Sequence, residues 1–351
     1  MIRIFHTADV HIGMKFSNYP EPVKGYLQEA RADVLDKMIE LANREKCNLF
    51  VVAGDLFDKI TGIDKKTMNR AINALNNFQG ECVLLMPGNH DYDNGMIDLW
   101  DNFMKTASDK IVFINDEHTY SLEDYGLNVH IYPAPCHSKH SSTNNLQWIK
   151  DEQIDKNYIN IGITHGALEG LSPDLEKTYY NMSVNELESL PMDLWLLGHT
   201  HIIYPPKSPI SNEKIFNPGT PEPDGLDCKH KGQAWIITID SNKKTNAELI
   251  QTGTYKFTDK VYAIEDKNVK RIKDDNYNEE TFYLYAPPII LSWTGYTTEN
   301  ITTLPIEYPA WEGWQNGNGS NPIGGANNET EQNSFFNGSD AAKGIINPEY
   351  K

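Results

Sequence analysis

Apolar and polar positions alternate in blocks along the first part of the chain. Residues 49–53 form a short, wholly apolar run, and residues 2–7 form a short apolar run that ends in polar residues; both predict strands. Between them, apolar side chains recur at helical spacing over residues 26–46, which predicts a helix with one buried face. A second helix is predicted over residues 68–78. Strands that alternate with helices indicate a layered α/β fold.

The polar residues that follow the predicted strands are the most informative part of this pattern. Further strands are predicted over residues 82–86, 128–132, 159–164, 194–197, 234–239 and 247–252. The polar side chains that stand just past the strand ends are Asp9, Asp55, Asn89, His165 and His199. In an open α/β sheet, ligands bind in the crevice beyond the carboxyl ends of the strands. We therefore predict that these five residues share one site.

Composition narrows the class of protein. The 351 residues carry a net charge of -18, which disfavours charge-driven, non-specific binding to DNA or to anionic lipid. No apolar run approaches the ~18 residues that a membrane span needs, and the first residues predict a strand rather than a signal peptide. The four cysteines are scattered without a CxxC pair, as in proteins with reduced thiols. We therefore expect a cytoplasmic protein that does not bind membranes.

Five short motifs bring the polar residues together with glycine and histidine. They are Asp9-Val10-His11, Gly54-Asp55-Leu56-Phe57-Asp58, Gly88-Asn89-His90-Asp91, Thr164-His165 and Gly198-His199-Thr200-His201. Carboxylate oxygen and imidazole nitrogen are ligands of divalent manganese, iron and zinc. The number of candidate ligands is larger than one ion can bind. Two ions ~3.5–4 Å apart can clamp a phosphoryl group and acidify a water molecule. The motifs therefore predict a site with two metal ions.

The order and spacing of these motifs resemble those of the calcineurin-like metallophosphoesterase superfamily. Residues 6–13 (HTADVHIG), 54–58 (GDLFD) and 217–223 (NPGTPEP) are similar to motifs of bacterial SbcD-type DNA repair exonucleases. Asp58 stands where the related nucleases of archaea and eukaryotes usually have histidine. The resemblance implies an α/β sandwich of two mixed β-sheets flanked by helices over residues 1–265. It leaves residues 266–351 as a short, irregular C-terminal region that is partly disordered or docks on a partner.

The resemblance also implies a role for each motif residue. The implied ligands of one ion are Asp9, His11, Asp55 and His201. Those of the other are Asp55, Asn89, His165 and His199, so that Asp55 bridges the two ions. His90 is the implied catalytic residue, which protonates the leaving oxygen or stabilises the transition state, and Asp91 fixes its ring. Mn²⁺ is the expected metal, with Fe²⁺ and Zn²⁺ as alternatives.

Three functions are compatible with these motifs. The first is a phosphodiesterase that cuts DNA as the nuclease subunit of a repair or phage-defence complex. Its candidate partners are DNA, an SbcC-like ATPase and a second copy of the chain. The second function is hydrolysis of a small cyclic nucleotide or dinucleotide, which the acidic net charge and the short C-terminal region favour. The third is a scaffold with a relict metal site, against which the intact motifs argue.

Overall fold

The structure is a computed structural model that describes residues 1–258 except 173, 175 and 227. This part of the chain contains twelve β-strands and five α-helices. The strands are β1 (Ile2–Thr7), β2 (Leu49–Ala53), β3 (Cys82–Met86), β4 (Ile111–Phe113), β5 (Tyr120–Ser121), β6 (Val129–Ala134), β7 (Ile159–His165), β8 (Leu194–Gly198), β9 (Ile210–Ser211), β10 (Ile215–Phe216), β11 (Gln233–Ile239) and β12 (Thr245–Gln251). The helices are α1 (Val23–Arg44), α2 (Lys65–Asn76), α3 (Leu99–Met104), α4 (Gln147–Asp151) and α5 (Val184–Ser189).

The strands form two mixed sheets. The larger sheet has the order β4-β3-β2-β1-β11-β12-β9, and the smaller sheet has the order β10-β8-β7-β6-β5. In the larger sheet, β1 lies between β2, which runs parallel to it, and β11, which runs antiparallel. In the smaller sheet, β6, β7 and β8 are parallel neighbours. The predicted site residues follow these parallel strands, whose carboxyl ends lie at a common edge of each sheet.

Side-chain alternation along the strands places the core on both sides of each sheet. Val51 of β2 packs between the sheets, in the same cluster as Leu196 of β8. Its neighbour Phe50 points to the opposite face and packs in the cluster that contains Leu35 of α1. Trp195 of β8 likewise points away from the other sheet, into a cluster that includes residues of α5. Because successive side chains of a strand point to opposite faces, each central strand is covered on both sides.

This architecture confirms the predicted α/β sandwich of two mixed sheets flanked by helices. The strands at residues 2–7, 49–53 and 82–86 have the predicted bounds, and the first helix begins at Val23 and ends at Arg44. The predicted domain end near residue 265 and the irregular region 266–351 lie outside the described residues. In the described part, no helix has both the length and the apolar character needed to cross a membrane.

Candidate metal centre

The polar motifs converge because they follow neighbouring strands of both sheets. Asp9, Asp55 and Asn89 follow β1, β2 and β3 of the larger sheet, whereas His165 ends β7 and His199 follows β8 of the smaller one. The backbone N–H of His199 donates to both carboxylate oxygens of Asp9, at 3.1 and 2.9 Å, across 190 positions of sequence. The two sheets therefore build the site jointly.

Four of the predicted ligands have a backbone conformation that residues other than glycine rarely adopt. The φ angles are 55° at Asp9, 50° at His11, 56° at Asp55 and 87° at His199. Such strained conformations cost about 1–3 kcal/mol each and persist where the surrounding structure enforces them. Backbone hydrogen bonds enforce them here, since the N–H of Asp9 donates to the carbonyl of Gly54 and that of His11 to the carbonyl of Asp55. Strain concentrated in this way is typical of functional sites.

Asp9, His11 and His201 form one group of metal-ligand atoms. One ligand atom of each lies within 4.8 Å of the other two. Nε2 of His201 is 3.6 Å from Oδ1 of Asp9, and Nε2 of His11 is 3.7 Å from Oδ2 of Asp55. The carboxylates of Asp9 and of the neighbouring Asp55 are both buried. Because burying carboxylates is costly unless their charge is compensated, this group provides a suitable site for a cation.

A second group lies beside the first and contains Asp55, Asn89, His165 and His199. Oδ1 of Asn89 is 3.1 Å from Nε2 of His165 and 3.0 Å from Nδ1 of His199. Nε2 of His165 is 3.3 Å from Oδ2 of Asp55, the oxygen that also faces the first group. The structure thus brings together all seven side chains that the sequence analysis assigned to metal binding, with Asp55 between the two groups.

The chemistry of these side chains fits divalent cations. Nδ1 of His165 is 2.8 Å from the carbonyl oxygen of Ala53, which can only accept a hydrogen bond, so Nδ1 carries the hydrogen. In the neutral ring, Nε2 then presents a lone pair to the oxygens of Asp55 and Asn89. Acceptors that face one another need either a proton or a cation between them. Carboxylate, amide oxygen and imidazole are ligands that such cations take.

Protonation of His165 compensates part of the negative charge at the site. Burial lowers the pKa of this ring, but the carboxylates of Asp55 and Asp9 outweigh burial and raise the pKa to about 9. Burial lowers the pKa of His11 to about 3 and that of His199 to about 4, so both rings are neutral at physiological pH. Neutral imidazole is the form that binds metal. Occupation of the second group by an ion therefore requires His165 to release a proton.

His90 and Asp91 do not make the contact that the sequence analysis expected. Both carboxylate oxygens of Asp91 accept backbone N–H groups, from Phe57 at 3.0 Å and from Gly88 at 2.7 Å. The ring of His90 instead places Nδ1 3.0 Å from the carbonyl oxygen of Asp58. In the structure, the ring of His90 therefore contacts the carbonyl of Asp58, whereas the carboxylate of Asp91 contacts the loops that follow β2 and β3. Asp91 fixes those loops to each other.

Two carboxylates at the site were not assigned to it by the sequence analysis. Oδ2 of Asp224 is 3.5 Å from Nδ1 of His201, and Oδ1 of Asp58 is 3.8 Å from Nδ1 of His11. Asp58 ends the GDLFD motif, and Asp224 directly follows the NPGTPEP motif. Their positions in or next to these motifs could have predicted that they lie near the site, but only the folded structure shows which histidine each one faces.

A cleft of about 870 Å³ opens over the two metal-ligand groups and over His90. Apart from the predicted site residues, its lining consists of Met14, His140, Ser172, Asp174, Glu176, Thr178, Tyr179, Thr200, Ile202 and Asp224. The ring of Tyr179 stacks on that of His199, with centroids 5.1 Å apart, although no motif in the sequence contains Tyr179. A cleft of this volume accommodates a small-molecule or nucleotide-sized ligand.

Gly54→Ala is expected to destabilise the chain more than Gly62→Ala, and to weaken Mn²⁺ binding. Gly54 has φ 92°, and a Cβ there would overlap the imidazole of His165. Gly62 has φ 80°, but nothing lies within 4 Å of its added Cβ, so it is a matched control for the backbone effect. The overlap should lower the free energy of unfolding by a further ~1–3 kcal/mol, measured by urea denaturation. Equal stability of the two variants would contradict the close packing of Gly54 against His165.

The calcineurin-like phosphoesterase family matches residues 2–202 of the chain. The match contains both metal-ligand groups and His90, and it covers more than half of the sequence. The chain therefore belongs to this family, which uses a dinuclear metal centre, and it is a metal-dependent hydrolase that acts on phosphoester bonds.

Individual relatives are distant in sequence. The SbcD subunit of the nuclease SbcCD of Staphylococcus saprophyticus is 22% identical over 302 residues, which cover 79% of this chain and 73% of that protein. The uncharacterized metallophosphoesterase YhaO of Bacillus subtilis is 25% identical over 211 residues, which cover 57% of this chain and 48% of YhaO. The chain thus spans about half the length of YhaO. Among solved structures, TT1561 of Thermus thermophilus matches 70% of this chain and 97% of its own, with 11% identity and a TM-score of 0.41.

Proposed function

We propose that the seven converging side chains hold two divalent ions and that the chain is a phosphodiesterase. Asp9, His11, Asp55 and His201 are the proposed ligands of one ion, and Asp55, Asn89, His165 and His199 are those of the other. The observation that carries the proposal is the convergence of these donors, from both sheets, on one open cleft. When bound, two such ions neutralise phosphate charge and acidify a water molecule.

His90 is the proposed proton donor, because it lies at the cleft and is not one of the seven proposed metal ligands. It lines the cleft, and its backbone N–H donates to Oδ1 of Asp55 at 2.8 Å. Its Nδ1 lies 3.0 Å from the carbonyl oxygen of Asp58, so Nδ1 carries a hydrogen. In the charged ring, Nε2 also carries a hydrogen, which it can donate to the leaving oxygen of a phosphodiester. The backbone contact to Asp55 and the ring contact to Asp58 hold His90 beside the metal-ligand groups, where a phosphate bound by the two ions would lie within its reach.

DNA is the proposed substrate. The similarity to the SbcD subunit of the nuclease SbcCD supports DNA as the substrate, as does the resemblance of the motif sequences to those of SbcD-type proteins. The same similarity supports an SbcC-like ATPase as a partner, and a second copy of the chain is a further proposed partner. Mn²⁺ is the proposed metal, because it accepts mixed carboxylate and imidazole ligands. The scattering of the four cysteines along the sequence, as in proteins with reduced thiols, supports a reducing, cytoplasmic location.

A small cyclic nucleotide or dinucleotide is the second candidate substrate, and the charges of the cleft favour it. Among the described residues that line the cleft there is no lysine or arginine, whereas Asp174, Glu176 and Asp224 are acidic. Proteins that bind long nucleic acids use basic side chains to neutralise the phosphates. A diester with one or two phosphates requires only the ions. Tight binding of long DNA would therefore use basic surface elsewhere, such as that of an ATPase partner, whereas cleavage of a bound diester would use the cleft of this chain.

The purified chain is expected to cleave DNA with Mn²⁺ and to lose this activity in excess EDTA. The measurement uses labelled single- and double-stranded DNA beside bis-p-nitrophenyl phosphate and cyclic nucleotides, under one set of conditions. Cleavage of the small diesters without cleavage of DNA would favour the second candidate substrate. Hydrolysis that persists in excess chelator would contradict both candidates, since each depends on the two metal-ligand groups.

A further inference from the structure

The ring of His201 lies between two carboxylates. Its Nε2 is 3.6 Å from Oδ1 of Asp9, and its Nδ1 is 3.5 Å from Oδ2 of Asp224. A ring nitrogen that binds an ion uses its lone pair, so the hydrogen of the neutral ring must lie on the other nitrogen. Asp224 is therefore in position to accept this hydrogen, with a small shortening of the observed distance.

The segment that leads to Asp224 is held by buried contacts to the loop of Asp9. The hydroxyl of Thr220 donates to the carbonyl oxygen of Asp9 at 3.0 Å. The buried guanidinium of Arg31 donates to the same hydroxyl at 3.2 Å and to the carbonyl of Val10 at 3.1 Å. The side chain of Asp224 is 16% exposed, and its Oδ1 is buried without a hydrogen-bond partner among the described residues. The carboxylate of Asp224 is thus a largely buried group beside the metal-ligand residues and not an exposed surface charge.

The other histidines of the site are held differently. Nδ1 of His165 is 2.8 Å from a neutral carbonyl oxygen, that of Ala53. Nδ1 of His11 has no hydrogen-bond partner among the described residues, since Oδ1 of Asp58 is 3.8 Å away. A carboxylate raises the basicity of an imidazole ligand more than a neutral carbonyl does, because it stabilises positive charge on the ring. His201 is accordingly the histidine whose affinity for an ion depends most on its neighbour.

We propose that Asp224 is a positioning residue: it fixes the tautomer and orientation of His201 and so strengthens ion binding by the group Asp9, His11 and His201. The inference rests on the proposed function only in that these three side chains hold an ion. It does not depend on whether DNA or a small diester is the substrate. Asp224 touches the ligand and not the ion, so its loss should weaken binding without removing a donor atom.

The experiment is a titration with Mn²⁺ in the absence of substrate, in which free Mn²⁺ is followed by electron paramagnetic resonance. Wild type should bind two ions, and Asp224→Ala should weaken one of the two binding steps by about 10–100-fold. Asp224→Asn should lose less affinity, because its amide oxygen can still accept the Nδ1 hydrogen but carries no charge. Glu176→Gln is the matched control: it removes a charge from the exposed rim of the same cleft and should leave both steps within about twofold of wild type.

Turnover as a function of Mn²⁺ concentration provides a second measurement. Excess Mn²⁺ should restore most of the activity of Asp224→Ala, because all donor atoms are still present. If Asp224→Ala fails to fold, the Asn variant, which has nearly the same shape, carries the test. Two unchanged binding steps in a folded Asp224 variant would overturn the inference while leaving the proposed function intact. A wild-type chain that binds no Mn²⁺ would overturn both.

Discussion

Asp55→Asn will reduce turnover by at least about 10³-fold, the equivalent of a loss of ~4 kcal/mol of transition-state stabilisation. Asp55 faces both metal-ligand groups, since its Oδ2 is 3.7 Å from Nε2 of His11 and 3.3 Å from Nε2 of His165. Its Oδ1 also accepts the backbone N–H of His90. One substitution therefore removes negative charge between the two proposed cations and loosens the loop that carries the proposed proton donor. We expect a larger loss than for any other single ligand.

The measurement is the rate of diester hydrolysis together with the metal content of the desalted protein and its circular dichroism. Asp55→Asn should retain the fold but lose at least one ion. Asp116→Asn, at an exposed position outside the cleft, is the control for the chemical change and should behave as wild type. An Asp55→Asn protein that hydrolyses at near wild-type rate would show that the two groups do not share this carboxylate.

His90→Asn will retain both ions but lose about 10²–10⁴-fold in the rate of the chemical step, as expected when a general acid is removed. His90 contributes its backbone N–H to Asp55 and its ring to the cleft. The substitution leaves the backbone contact in place, so the metal-ligand groups should stay intact. Substrate affinity should change little for the same reason. Metal analysis and single-turnover kinetics on one preparation test both expectations.

His137→Asn is the control for His90→Asn. His137 is exposed and is not among the described residues that line the cleft; its Nδ1 lies 2.9 Å from the carbonyl oxygen of Asp93. If His90→Asn loses an ion, His90 is a ligand, an outcome for which its grouping with His11 and Asp58 within 4.8 Å provides a geometry. If His90→Asn keeps both ions and full activity, the acid lies elsewhere, and His140, which lines the cleft, becomes the next candidate.

The convergence of the site could be predicted from the sequence because it follows from topology. Asp9, Asp55 and Asn89 come directly after long apolar strands, and parallel strands place their carboxyl ends at one edge. No detail of side-chain packing is needed for that inference. The same reasoning located β1, β2 and β3 with correct bounds, since β2 and β3 are continuous apolar runs covered on both faces and β1 is a short run that ends in polar residues.

Contacts between loops could not be predicted in the same way. The expectation that Asp91 would hold the ring of His90 relied on adjacency, whereas the actual partners of Asp91 are backbone N–H groups set by two loop conformations. Asp224 contacts His201 from a loop that begins after β10, and the spacing of apolar residues along the sequence does not predict contacts of this kind. Short elements such as β4 and α3 were missed because three or six residues are too few to display a period.

The central place of β1 has a consequence for the order in which the chain can assemble on the ribosome. β1 is synthesised before the other described strands, but its second neighbour is β11, with Ile2 paired to Ile239. Until β11 has emerged, the nascent sheet carries an open edge beside the segment that leads to Asp9, and open edges invite pairing with other chains. His199 and His201 also emerge late, so a partly synthesised chain has the carboxylates before it has their partners. Closure of the sheet and completion of the metal-ligand groups are thus late events of biosynthesis, and premature termination before residue 233 should yield aggregates.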